Sequence, residues 1–163
     1  PIGMLFRRVR TFETGTYPSA KMYHASTSCN HCENPACVAN CPTGAMQKAE
    51  DGTVVHDDGV CIGCETCVNS CPYEVPVLDE SLGIARKCDA CASLREAGGN
   101  PACVDACLMR CLHFGDLDEL VATYGADAMS ELPFLPSADT TAPNTRYLPK
   151  EAAKESSFTE QPI

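Results

Sequence analysis

Apolar residues are spread thinly along this 163-residue chain, and only a few stretches show a clean period. Leu117, Leu120, Val121 and Tyr124 recur at i, i+3, i+4 and i+7, which predicts an amphipathic helix. Asp116-x-x-Glu119 has the form of a capping box at its start, and Gly125 is placed to close it. Asp51-Gly52 signals a turn, and Thr53-Val54-Val55-His56 behind it predicts a short strand. Val38-Ala39-Asn40-Cys41, Val68-Asn69-Ser70-Cys71 and Val104-Asp105-Ala106-Cys107 predict three short helices, each carrying its last cysteine. Pro42 and Pro72 would end the first two. Pro133, Pro136, Pro143, Pro149 and Pro162, set among small polar residues, predict an extended arm that lies on something or stays disordered. No apolar run reaches the ~18 residues of a membrane span, so no direct span is expected.

Composition sharpens this pattern. The chain has no Trp, five Phe and five Tyr, but 13 Cys. So thin an apolar core implies that something besides hydrocarbon burial holds the fold. The net charge of −10 disfavours nucleic acid as a partner. Pro1-Ile2-Gly3 shows no Met, charged leader or apolar leader segment, so no signal peptide is visible.

All 13 cysteines lie between Cys29 and Cys111, which divides the chain into three parts. Residues 1–28 carry four bases and one acid, and read as an N-terminal segment of the cysteine-bearing domain. Residues 29–111 carry 12 acids and five bases and read as the metal-binding region. Residues 112–163, with nine acids and three bases, hold the short helix and the Pro-rich tail.

The middle is an internal repeat. Cys29-x2-Cys32-x4-Cys37-x3-Cys41-Pro42 is followed by Cys61-x2-Cys64-x2-Cys67-x3-Cys71-Pro72. A third unit runs Cys88-x2-Cys91-x11-Cys103-x3-Cys107, with Leu108 in place of Pro. Cys111 stands outside the scheme. Disulfides fit an odd count and tight C-x-x-C pairs poorly. Zinc favours two separated pairs around one tetrahedral ion, which leaves a zinc-stabilised interaction module as a weaker alternative. The second unit matches the bacterial ferredoxin run, in which the fourth cysteine ligates the other 4Fe–4S cluster.

That crossed rule assigns Cys29, Cys32, Cys37 and Cys71 to one cluster. Cys61, Cys64, Cys67 and Cys41 take a second. Cys88, Cys91 and Cys103 would hold a third, whose fourth ligand is either missing or Cys107. By the same rule Cys107 belongs to the cluster of a partner unit. Each cluster staples one repeat to another, so loss of metal should unfold the region. No phosphate loop, nucleophile elbow or zincin helix accompanies these thiols, which points to an electron carrier and not an enzyme. His31 reads as a loop-filling residue, and His24, His56 and His113 as ordinary surface or core groups. Cys111 reads as a small buried hydrophobe, and Arg7, Arg8 and Arg10 as a solvated basic face.

The segments Ser28–Cys37, Cys61-Ile62-Gly63-Cys64, Cys71-Pro72-Tyr73 and Lys87-Cys88-Asp89-Ala90-Cys91 carry a family resemblance. They resemble the iron–sulfur electron-transfer subunit of dimethyl sulfoxide reductase-type molybdopterin oxidoreductases. The likeness continues through Phe114-Gly115-x-Leu117-x-Glu119-Leu120. It implies an α+β fold of ferredoxin-like repeats, a doubled bacterial ferredoxin, with an extended C-terminal tail. The family carries four Cys motifs and four clusters, with motifs two and three paired and motifs one and four paired. Against that pattern the first motif is missing, and the expectation is an N-terminally truncated chain with two complete clusters and a third in doubt. The resemblance also implies two partners, a molybdopterin-containing catalytic subunit and a membrane quinol-handling subunit. It implies association with the membrane through them, on the cytoplasmic face or exported with the catalytic subunit. A stand-alone polyferredoxin is the other reading.

Overall fold

The computed structural model describes residues 4–125 and 127–162. Each of the first two Cys units folds as a cysteine loop, a one-turn helix and a two-stranded hairpin. In the first unit, which follows β1 (Arg7–Thr14) and β2 (Lys21–Ser28), α1 (Ala36–Ala39) precedes β3 (Met46–Lys48) and β4 (Val54–His56). In the second, α2 (Thr66–Ser70) precedes β5 (Val77–Asp79) and β6 (Ile84–Arg86). The third unit replaces the hairpin with two short helices, α3 (Ala92–Glu96) and α4 (Ala102–Asp105). The predicted strand after Asp51-Gly52 is β4, paired antiparallel with β3 from Met46↔His56 to Lys48↔Val54.

The helices are shorter than predicted. None carries its fourth cysteine: Cys41 and Cys107 lie beyond the ends of α1 and α4, and Cys71 is the extended cap of α2. Proline restricts the residue before it to extended conformations. Cys71 obeys that rule, with φ −78° and ψ 114°, so its side chain leaves the helix axis and turns toward the neighbouring unit.

A second module lies outside the repeats. β1 (Arg7–Thr14) and β2 (Lys21–Ser28) form an antiparallel hairpin registered from Arg7↔Ser28 to Thr14↔Lys21. The last strand, β7 (Phe158–Gln161), adds to the other edge of β1, from Thr11↔Gln161 to Thr14↔Phe158. Four aromatic rings supply most of its core. Phe12 stacks on Tyr23 at 5.1 Å, lies 4.6 Å from Phe134, and meets Phe158 edge-on at 5.4 Å. Leu132, Ala152 and Ala153 close the cluster, the alanines coming from a 3-10 turn over Glu151–Lys154.

The arm after the predicted helix therefore lies on its own chain. Helix α5 (Leu117–Tyr124) is present, and Asp116 caps it by accepting from the Asp118 and Glu119 amides at 3.0 and 3.1 Å. Beyond it the polypeptide returns through Leu132 and Phe134 into the aromatic core. Arg10 is not a free basic group: its guanidinium grips Glu160 in the tail with two bonds of 2.7 and 2.6 Å. Among the described residues no helix is long and apolar enough to cross a membrane.

The repeat region has a different kind of core. Met46, Val54 and Ala85 pack with the thiols Cys37 and Cys67, flanked by Val38, Cys41, Cys61 and Val68. Hydrocarbon and sulfur share one small interior. Such a core supplies little burial by itself.

Candidate metal centre

Cys29 follows β2 directly and opens the first loop. The turn needs one residue in the left-handed region just before the second cysteine, and His31 takes it at φ 44°. The same place in the next two loops is held by Gly63 (φ 66°) and Ala90 (φ 56°). All three C-x-x-C loops therefore share one backbone curl ahead of their second cysteine.

Cys29, Cys32, Cys37 and, from the second unit, Cys71 line one cavity, together with Val54, Tyr73, Lys87 and Thr141. Burial pushes the Cys37 thiol up to about 12, and the adjoining Cys29, Cys71 and Cys32 sulfurs add to the rise. Burial also raises Cys29 and Cys32, and each of these feels the charge of Cys71. Mutual repulsion of this kind requires the four sulfurs to share one neighbourhood.

A second group forms from the other cysteines of the first two units. Burial raises Cys67, and the charges of Cys41 and Cys61 reinforce it. Cys64 is lowered chiefly by the Thr66 hydroxyl, 3.3 Å from its sulfur, and it too feels Cys41. Burial pushes Cys41 up, but the Met46 amide and the Thr43 hydroxyl outweigh it and hold the thiol low. Cys41, Cys61, Cys64 and Cys67 are thus neighbours, and Cys41 crosses over from the first unit just as Cys71 crosses from the second.

The third unit is looser. Burial raises Cys88, whose sulfur accepts the Ala90 amide at 3.4 Å and feels Cys29. Cys91 starts α3 in the left-handed region at φ 52°, and Cys103 lies within α4. Cys107 and Cys111 sit with their sulfurs 3.6 Å apart. The Cys111 amide, with the thiol beside it, holds Cys107 low, while the bond shared with the Cys107 thiol pushes Cys111 up. Cys111 is exposed, not the buried hydrophobe predicted.

The donor set can be tested against a metal group. Among the described residues no three His, Cys, Asp or Glu side chains converge closely enough to hold a single ion. Zinc would need four sulfurs at ~2.3 Å from one point. Thiols spread around a cavity, with amide and hydroxyl donors aimed at several sulfurs, fit a larger sulfur-bridged iron cluster. Metal binding must first displace the protons that burial holds on Cys29, Cys32, Cys37 and Cys67.

Several groups around the first set carry no mark in the sequence. The Lys48 ammonium donates to the carbonyls of Cys32 at 2.7 Å and His31 at 3.3 Å. The tail crosses this loop: Glu33 and Asn34 amides donate to Ala142 and Thr141 carbonyls at 2.8 and 3.0 Å. Asn144 donates to the His31 carbonyl at 2.8 Å, and the Thr141 hydroxyl bonds Cys32 and lies 3.2 Å from that of Tyr73. His31 does more than fill the loop. Its Nδ1 accepts the Val54 amide at 2.9 Å, so Nε2 carries the proton and faces the Cys88 sulfur at 3.9 Å. Burial depresses this imidazole to about 3, with the Lys87 charge second.

Comparison with known proteins follows the cysteines. The family model for the 4Fe-4S dicluster domain matches residues 20–117. The sequence is similar to an anaerobic dimethyl sulfoxide reductase chain from Haemophilus influenzae, 45% identical over 137 residues, covering 84% of this protein and 66% of that one. It is similar to the protein of the same name from Escherichia coli, 49% identical over 122 residues, covering 75% and 58%. A sulfite dehydrogenase subunit from Allochromatium vinosum is 43% identical over 126 residues, covering 73% and 52%. The 163 residues thus span about half to two thirds of the length of these curated relatives.

Proposed function

This protein belongs to the 4Fe-4S dicluster domain family, and from that premise we propose that it is the electron-transfer subunit of a dimethyl sulfoxide reductase-type complex. Its partners are a molybdopterin-containing catalytic subunit and a membrane subunit that handles quinol, and it associates with the membrane through them. It is a carrier between those partners and is not itself a catalyst.

The observation that carries this reading is the exchange of one cysteine between units. Cys71 joins Cys29, Cys32 and Cys37 around one cavity, while Cys41 joins Cys61, Cys64 and Cys67. We assign these as two complete 4Fe–4S ligand sets on the doubled ferredoxin pattern. When bound, such clusters take up and release single electrons. The protein's part is to hold the sulfurs apart at fixed positions and keep water from Cys37 and Cys67. It also aims the amide of Met46 and the hydroxyls of Thr43, Thr66 and Thr141 at ligand sulfurs. We assign Cys88, Cys91 and Cys103 to a third ligand set, in which Cys107 either supplies the fourth thiol or serves the cluster of a paired unit.

Iron and acid-labile sulfide in anaerobically prepared protein test the assignment. About eight iron atoms per chain mean two clusters, and about twelve mean that Cys107 or Cys111 completes the third locally. A colourless protein that retains zinc would refute it. Co-purification with a large molybdenum-containing subunit separates the complex from a stand-alone polyferredoxin, which would purify as a monomer.

A further inference from the structure

Lys87 is the most deeply buried cation among the described residues, with 6% of its surface exposed. Its ammonium has three N–H groups, and three acceptors surround it. These are the Val54 carbonyl, the Cys88 carbonyl at 2.6 Å and the Cys29 sulfur at 3.9 Å. None is a carboxylate, and no salt bridge to Lys87 occurs among the described residues. A buried charge without a counter-charge is costly enough that proteins rarely keep one. Lys87 lines the same cavity as Cys29, Cys32, Cys37 and Cys71. The missing negative charge therefore belongs in that cavity.

The position of Lys87 along the sequence points the same way. It precedes Cys88 and so belongs to the third unit, yet its ammonium reaches a sulfur of the first. His31 makes the reverse contact, from the first loop to the Cys88 sulfur. Val54 joins the two, donating its amide to His31 and offering its carbonyl to Lys87. The first and third units are thereby locked together by groups that touch ligand sulfurs from both sides.

We propose that Lys87 is the built-in counter-ion of the first cluster, a positioning residue from the third unit that raises the reduction potential of the cluster held by Cys29, Cys32, Cys37 and Cys71. The proposal rests on the cluster reading above. A cation beside a ligand sulfur favours the more negative, reduced state, because net charge and hydrogen bonds to sulfur set these potentials. The cluster assigned to Cys41, Cys61, Cys64 and Cys67 has no such cation at its sulfurs among the described residues and serves as an internal reference.

Potentiometric titration followed by electron paramagnetic resonance tests this on the anaerobically prepared full chain. The first cluster's signal is identified as the one lost in Cys71→Ala. Lys87→Met is expected to make its reduction at least tenfold less favourable, a fall of about 59 mV for one electron. Lys87→Arg, which keeps the charge, should restore most of it, and the reference cluster should not move. Should Lys87→Met fail to retain iron, Lys87→Gln carries the test, keeping amide donors without the charge. Neutral variants with the wild-type potential would overturn the proposal, as would equal falls in both clusters. A wild-type protein with no 4Fe–4S signal would instead refute the cluster reading itself.

Discussion

Just before the second cysteine of each C-x-x-C loop stands a residue in the left-handed region: His31, Gly63 and Ala90. Only the middle loop uses glycine there, and the reason is contact as well as φ. A Cβ on Gly63 would strike the carbonyl oxygen of Gly83 in the β5–β6 turn. Gly63→Ala therefore combines an unfavourable φ with a backbone collision, and a loss of about 2–4 kcal/mol is expected. Thermal unfolding should show it, together with iron lost from the second set. Ala90→Gly relieves the strain but adds chain entropy, and stability within about 1 kcal/mol of the parent is the expected result. The candidate thiols stood out in the sequence because a C-x-x-C spacing marks metal chemistry locally. The reach of Lys87 to Cys29, of Thr141 to Cys32 and of Asn144 to His31 did not, because these partners are 58, 109 and 113 residues apart in the chain.

Elements in this protein are short, and two different forces fix them. In the repeats a single turn of helix delivers the third cysteine, and proline after Cys41 and Cys71 stops the helix before the fourth. The sequence pattern foretold those helices but overextended them by a residue or two; in the first two units Pro also restricts the residue ahead of it, whereas α4 stops short without one. The β1–β2–β7 sheet depends on ordinary apolar burial, centred on Phe12, which is fully buried against Tyr23, Phe134 and Phe158. Phe12→Ala should cost about 3–5 kcal/mol. Denaturant unfolding would measure it, while iron content at low temperature should remain that of the parent because no ligand touches Phe12. The strand pairing of β7 escaped prediction. Four residues near the end of a Pro-rich tail carry too little pattern to show that they seek β1.

The whole molecule divides its stability between those two interiors. The repeat region has Met46, Val54 and Ala85 as its buried hydrocarbon, and completes that core with Cys37 and Cys67. Iron chelation should therefore open residues 29–111 first, leaving the aromatic sheet protected. Hydrogen exchange followed by fragment mass analysis would show early deuteration of α1, α2 and both hairpins, with β1 and β2 exchanging later. Uniform exchange throughout would mean one cooperative unit. The tail strap at Thr141–Asn144 links the two, since it spans the first loop on its way to β7.

The exchange of cysteines between units is the central claim, and single substitutions can sort the sulfurs directly. In anaerobically reduced protein, the cluster signal abolished by Cys71→Ala should be the one abolished by Cys37→Ala. The signal abolished by Cys41→Ala should be the one abolished by Cys64→Ala. Each variant should lose about four iron atoms and spare the other signal. If Cys71→Ala instead matches Cys64→Ala, each unit binds its own cluster locally and the crossed arrangement is wrong.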